Sequence, residues 1–130
     1  MAILGIGIDL VHIPRILHIL TRAPGRAELF SRRILTEREQ LKAKAEPLNK
    51  DPVSFARYLA LRWAAKEAAY KAAYPSCRLS WKEVEIVKAH QDPKPMLLFH
   101  PRYHDRVCKS HLSISHDGDL LIAQVLLESP

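Results

Sequence analysis

The chain has 130 residues, enough for one hydrophobic core and too few for two ordinary ones, so residues 1–130 are expected to form a single domain. An apolar fraction of 48% against 26% charged residues is that of a soluble globular protein, and no run approaches the roughly 18 consecutive apolar residues of a membrane span. Twenty Lys and Arg against fourteen Asp and Glu leave a net charge of +6, which attracts acidic or polyanionic partners without choosing between nucleic acid, nucleotide and acidic protein.

Residues 3–11, Ile-Leu-Gly-Ile-Gly-Ile-Asp-Leu-Val, are short, β-branched and apolar on both faces, which predicts a buried strand with Asp9 as its only charge. The first residues lack a basic segment ahead of that strand, which argues against a secretory signal. Pro14 suits the first turn of a helix through Arg15, Ile16, Ile19 and Leu20, broken at Ala23-Pro24-Gly25. Thr36 with Glu39 three residues on is a capping-box pattern, so a second helix is expected over 37–45 before Pro47-Leu48-Asn49 loosens the chain.

Asp51-Pro52 opens the main helix, expected over Val53–Tyr74. Phe55, Leu59, Trp63, Tyr70 and Tyr74 recur there at helical spacing as its core face, alanines fill the gaps, and Pro75 marks the stop. The remainder reads as strands: Trp81–Val87, Met96–Phe99, and two alternating stretches in Leu112–Leu127 joined by an Asp117-Gly118 hairpin turn. The expected fold class is α+β, a long helix packed on an antiparallel sheet. Cys77 and Cys108 stand far apart with no CxxC pair, so a reducing compartment is expected.

Asp9 near the end of an apolar strand needs a cation, because an unpaired buried carboxylate is costly. That cation is either a metal or a basic side chain. On the main helix Glu67 and Lys71 lie four residues apart on one face, and Arg62 and Lys66 on another. Ser113 and Ser115 share a strand face, and His116 stands at the hairpin turn, where it could bind phosphate, act as a base or cap the turn. No GxSxG elbow is present, and Leu10 occupies the third glycine position that a dinucleotide loop would need after Gly5-Ile6-Gly7. His100 and His104 lack a neighbouring HExxH glutamate and read as structural.

Three blocks, Gly5-Ile-Gly-Ile-Asp9-Leu-Val-His-Ile-Pro-Arg15, Arg62-Trp-Ala-Ala-Lys66-Glu67-Ala-Ala-Tyr-Lys71-Ala and Ser113-Ile-Ser115-His116, together resemble the holo-acyl-carrier-protein synthases, short 4′-phosphopantetheinyl transferases, in order and spacing. The resemblance implies transfer of phosphopantetheine from coenzyme A to a serine of apo acyl carrier protein, in support of fatty acid biosynthesis, with release of adenosine 3′,5′-bisphosphate. It implies Mg²⁺ held by Asp9 and Glu67, oxygen ligands that suit a hard cation, and a catalytic Lys71 at the transferred phosphoryl group. Arg62, Lys66, Ser115 and His116 are the implied coenzyme A contacts. The proton acceptor is left between Glu67 and a metal-bound water.

The acidic carrier protein would meet Arg15, Arg22 and Arg26. The resemblance further implies a homotrimer with the site between subunits, Asp9 of one chain meeting Glu67 of another. It implies a cytoplasmic or mitochondrial-matrix setting, with neither nucleic acid nor membrane as partner. Leu61 and His12 depart from the residues common in the family, and Asp117 adds negative charge beside His116. The alternative is a non-catalytic basic domain that binds nucleic acid or an acidic protein, which explains the charge but neither Asp9 nor Glu67.

Overall fold

The computed structural model describes residues 1–45, 51–88, 91 and 93–130; the loop expected at Pro47-Leu48-Asn49 lies outside them. The elements are β1 (Ala2–His12), α1 (Ile13–Thr21), α2 (Arg26–Ile34), α3 (Glu37–Ala45), α4 (Pro52–Ala73), β2 (Val84–Lys88), β3 (Pro95–Phe99), β4 (Lys109–Asp117) and β5 (Leu120–Ser129). Short 3₁₀ helices at Trp81–Glu83 and Pro101–Tyr103 precede β2 and follow β3. The architecture is α+β, with helices on antiparallel sheets, as expected.

α4 is a helix because 22 residues run without glycine or internal proline, and its start is capped. The Asp51 carboxylate accepts from the Val53 amide at 3.1 Å and the Ser54 hydroxyl at 2.6 Å, with Pro52 at the first turn. It ends at Ala73, ahead of Tyr74-Pro75, since the residue before a proline avoids helical geometry. Thr36 and Glu39 form the expected capping box of α3, the Glu39 amide donating to the Thr36 hydroxyl and the Thr36 amide to Glu39 Oε1.

Two differences from the sequence reading concern helices. α2 was not anticipated: it begins after Gly25 in the left-handed region (φ 80°) without a side-chain cap, so it carries no start signal. The residues at 81–83, expected as strand, form a 3₁₀ turn, because Ser80 and Glu83 make a second capping box that holds this segment helical until Val84.

β1, β5 and β4 form one sheet in that order, all antiparallel, with Asp9 opposite Ala123 and Ala123 opposite Ile114. β2 and β3 form a separate antiparallel pair. The β4–β5 turn uses Gly118 at φ 55°, as the Asp-Gly dipeptide predicts. Its tip is tied to the start of α1, because the Ile13 amide donates to the Asp119 carbonyl at 2.8 Å.

α4 lies across β1 and β5, and its core face is alanine rather than aromatic: Ala56, Ala60, Ala64, Ala68 and Ala72 are buried at fourfold spacing. Tyr70 and Tyr74 are exposed and stack on one another, which corrects their expected place in the core. Trp63 is half-buried between Phe30 and Trp81. The reason lies in β1. A Cβ on Gly5 would stand 2.0 Å from the Ala72 carbonyl oxygen, and one on Gly7 1.9 Å from that of Ala68, so strand and helix meet backbone to backbone. Two strand residues span about 6.6 Å and four helical residues about 6 Å, so the two repeats stay in step. Leu59, Val125 and Leu127 are fully buried in the same cluster, each worth about 1.5–3 kcal/mol.

Among the described residues nothing covers the far face of the sheet. Ile6, Ile8 and Leu10 of β1 point away from α4 and are 57%, 53% and 62% exposed, beside exposed Leu120. No helix among the described residues is long and apolar enough to cross a membrane.

Candidate functional site

The glycine contact delivers Asp9 to the side of α4 that carries Glu67 and Lys71. Lys71 Nζ donates to the Ile8 carbonyl at 2.9 Å and to Asp9 Oδ1 at 3.2 Å. Asp9 Oδ2 is buried and has no hydrogen-bond partner among the described residues. Glu67, one turn before Lys71, is half-buried, and its carboxyl is raised from the usual 4.5 by burial first and by the charge of Asp9 second, Lys71 partly opposing them. The single chain thus brings Asp9 and Glu67 together, which corrects the expectation that the two come from different subunits. Two carboxylates share one ammonium, and the excess negative charge with an orphaned buried oxygen is what a hard divalent cation fits. No group of three or more His, Cys, Asp or Glu side chains suited to a metal occurs among the described residues, so oxygens from elsewhere must complete any such coordination. A cleft of about 200 Å³ opens at Glu67, walled by Tyr70, Leu79, Ser80 and Trp81.

Arg62 lies on another side of α4. Its guanidinium sits 3.5 Å from the centre of the Tyr58 ring, in a groove of about 340 Å³ shared with Lys42, Arg57 and Lys88. Among the described residues that line it, four are cationic and none is acidic. Of these cations only Arg62 was singled out in the sequence; the others come from α3, α4 and β2, and only the fold gathers them.

Lys66 is not where the resemblance puts it. It is buried, and its three donors are all engaged, by the Ile34 carbonyl at 2.6 Å, Glu39 Oε1 at 2.6 Å and the Trp81 carbonyl at 3.0 Å. Burial pushes its ammonium down from 10.5 while Glu39 opposes the shift. A lysine so enclosed has no proton left for a coenzyme A phosphate.

Ser115 pairs with Ile122 and stands with Ser113 on the exposed face of β4, away from α4, so within one chain it does not join the Asp9–Glu67 cluster. His116, exposed at the hairpin, pairs with Leu121, which pairs with Val11. Two strand spacings, about 10 Å, therefore separate its backbone from that of β1. Arg15 and Arg22 are exposed on and just after α1; Arg26 is exposed but opens α2, so one helical face does not carry all three. His100 is structural, as expected, its Nδ1 accepting from the Arg102 amide at 3.2 Å. Cys77 and Cys108 are both free thiols.

Comparison with known proteins identifies the family. Residues 5–125 match the 4′-phosphopantetheinyl transferase superfamily model. A relative in Aspergillus fumigatus, 4′-phosphopantetheinyl transferase B, mitochondrial, is 40% identical over 95% of this chain and 92% of its own length. The holo-[acyl-carrier-protein] synthase of Geobacillus kaustophilus is 40% identical over 97% and 89%. The crystal structure of a holo-(acyl-carrier-protein) synthase from Bacillus anthracis in complex with CoA (3′,5′-ADP) superposes with a TM-score of 0.76 at 33% identity, covering both chains completely. A glycine-bearing strand that seats a carboxylate against Glu67 and Lys71, a basic groove on the same helix and these full-length matches converge: the chain belongs to the 4′-phosphopantetheinyl transferase superfamily, as an enzyme of the holo-[acyl-carrier-protein] synthase type.

Proposed function

We propose that this enzyme, one domain over residues 1–130, transfers 4′-phosphopantetheine from coenzyme A to a serine hydroxyl of an acidic apo acyl carrier protein, requires Mg²⁺, and releases adenosine 3′,5′-bisphosphate. The observation that carries the reading is the convergence of Asp9, Glu67 and Lys71 in one chain, with Asp9 Oδ2 buried and unpartnered.

Asp9 and Glu67 are the residues that hold the Mg²⁺, which when bound supplies positive charge to the coenzyme A diphosphate. Lys71 has a third N–H beyond the two bonds described, and it donates to the transferred phosphoryl group. A bond forms between the serine oxygen and the phosphorus next to pantetheine as the serine proton passes to Glu67 or to a water, the bond from that phosphorus to the bridging oxygen breaks, and the bisphosphate leaves with the electron pair. Phosphoryl transfer asks mostly for position and charge neutralisation, so placement of these side chains outweighs the choice of base. Arg62 and the cations around it bind the phosphates at the adenosine end.

The carrier protein approaches Arg15 and Arg22, with Arg26 beside them. Three copies assemble on the uncovered sheet face, which supports this reading because Ile6, Ile8 and Leu10 would otherwise stay in water. Ser115 and His116 then serve the coenzyme A site of a neighbouring copy. Two free thiols fit a reducing cytoplasm or mitochondrial matrix, and fatty acid synthesis is the pathway served.

The test is intact-mass spectrometry of apo acyl carrier protein incubated with the enzyme, coenzyme A and Mg²⁺. A phosphopantetheine-sized mass gain that disappears in EDTA is the expected result; no gain across several carrier proteins overturns the proposal.

A further inference from the structure

The Lys66–Glu39 pair is the most enclosed charge pair among the described residues, both side chains 2% exposed. It is also complete. Glu39 Oε1 accepts from Lys66 at 2.6 Å and from the Thr36 amide at 3.0 Å, and Oε2 accepts from the Ile86 amide at 3.1 Å. The Tyr58 hydroxyl donates to the Glu39 carbonyl at 3.0 Å. Lys66 Nζ reaches the last residue of α2, the first turn of α3 and the 3₁₀ turn at Trp81. One node therefore joins α2, α3, α4, β2 and the turn before β2.

Its place in the chain is what matters for the site. Lys66 immediately precedes Glu67, so clamping Lys66 fixes the rotation of α4 about its axis at the residue that faces Asp9. The Trp81 carbonyl belongs to the opposite wall of the Glu67 cleft, so the same ammonium sets both sides of that opening. An apolar core could supply stability here equally well, since a buried ion pair is often no better than well-packed hydrophobic residues. What the pair adds is direction: three fixed acceptors admit one position of Lys66, whereas a packed methionine slides.

Resting on the transfer reading above, we propose that Glu39 and Lys66 are positioning residues for the reaction: their buried pair sets the aim of Glu67 at Asp9 and the width of the adjoining cleft, and neither touches coenzyme A. The variants are E39D, which keeps the charge but withdraws it by one methylene, K66M, and the shape-matched apolar pair E39L/K66M. Each is read for Tm, for kcat and KM toward coenzyme A well below its Tm, and for Mn²⁺ affinity by electron paramagnetic resonance in the presence of coenzyme A.

A displacement on the 1 Å scale lowers turnover by about 100-fold, so K66M and E39L/K66M should lose kcat on that order, with KM for coenzyme A within about threefold and Mn²⁺ held more weakly. E39D should lose less kcat, at a Tm close to wild type. Recovery of Tm but not of kcat in E39L/K66M is the signature that separates aiming from mere stability. Wild-type kcat and Mn²⁺ affinity in E39L/K66M or E39D overturns the proposal, and so does a K66M that raises KM for coenzyme A at unchanged kcat. If K66M or the double variant fails to fold, E39D alone decides. Wild-type enzyme without Mg²⁺-dependent transfer would instead sink the functional reading and is visible in the control.

Discussion

Gly7→Ala is the sharpest single test of how the fold makes the site. Its new Cβ would lie 1.9 Å from the Ala68 carbonyl oxygen and 2.8 Å from the Ala72 nitrogen, both backbone atoms with no rotamer to move. Real Cβ contacts stop near 3.0 Å, so β1 must back away from α4 by about 1.1 Å. Asp9 is two residues along the same strand and rides with it. The 3.2 Å bond from Lys71 to Asp9 Oδ1 then lengthens beyond hydrogen-bond range. Overpacking of this kind costs about 1–3 kcal/mol, and a 1 Å misplacement at reacting groups costs about 100-fold in rate. The assay is Tm by calorimetry together with kcat/KM on apo carrier protein, measured well below the variant's Tm. A folded Gly7→Ala enzyme with wild-type kcat/KM would refute the idea that the strand–helix contact places Asp9. Gly118→Ala, where nothing lies within 4 Å, strains only a turn at φ 55° and is the stability control.

Other outcomes follow from the same geometry. In EDTA, Glu67→Gln should raise Tm at pH 7, because folding disfavours the charged form of Glu67; the gain should vanish as pH falls through the raised pKa to below 4.5, where the wild-type side chain is neutral in both states. A Tm difference that stays constant with pH would contradict this. Lys71→Ala should reduce kcat by a larger factor than it changes KM for coenzyme A, and an unchanged turnover number removes Lys71 from the catalytic set. Arg15→Glu should slow association with the carrier protein several-fold and flatten its dependence on ionic strength, as stopped-flow fluorescence would show; unaltered salt dependence places the docking face elsewhere. Ile8→Lys should dissociate the proposed trimer in sedimentation velocity, whereas a variant that still sediments as a trimer would show that this sheet face is not the interface.

The pattern of the sequence carried the strands, the long helix and the Asp-Gly hairpin, because each depends on local periodicity or turn chemistry. It misplaced Tyr70 and Tyr74 because large apolar residues at helical spacing look like a core stripe, whereas this core demands small ones. The demand originates in Gly5 and Gly7, more than sixty residues away in the chain, and no window spans that distance. Lys66 was misassigned for a related reason. Its partner Glu39 was read correctly as a helix cap, but a capping carboxylate has two oxygens, and only the folded chain reveals that one of them also holds a lysine. Asp9, Glu67 and Lys71 were legible because a charge set in an apolar or alanine-rich segment is costly to bury unless an opposite charge or a ligand meets it.

The closed shell around the Lys66 ammonium also makes it a reporter. Reagents that acylate amines reach exposed lysines such as Lys71 and Lys82 at once, but they can reach Lys66 only when α4 parts from α2 and from the turn at Trp81. The rate at which that one residue is labelled therefore counts openings of the helix scaffold, a clock that needs no engineered residue.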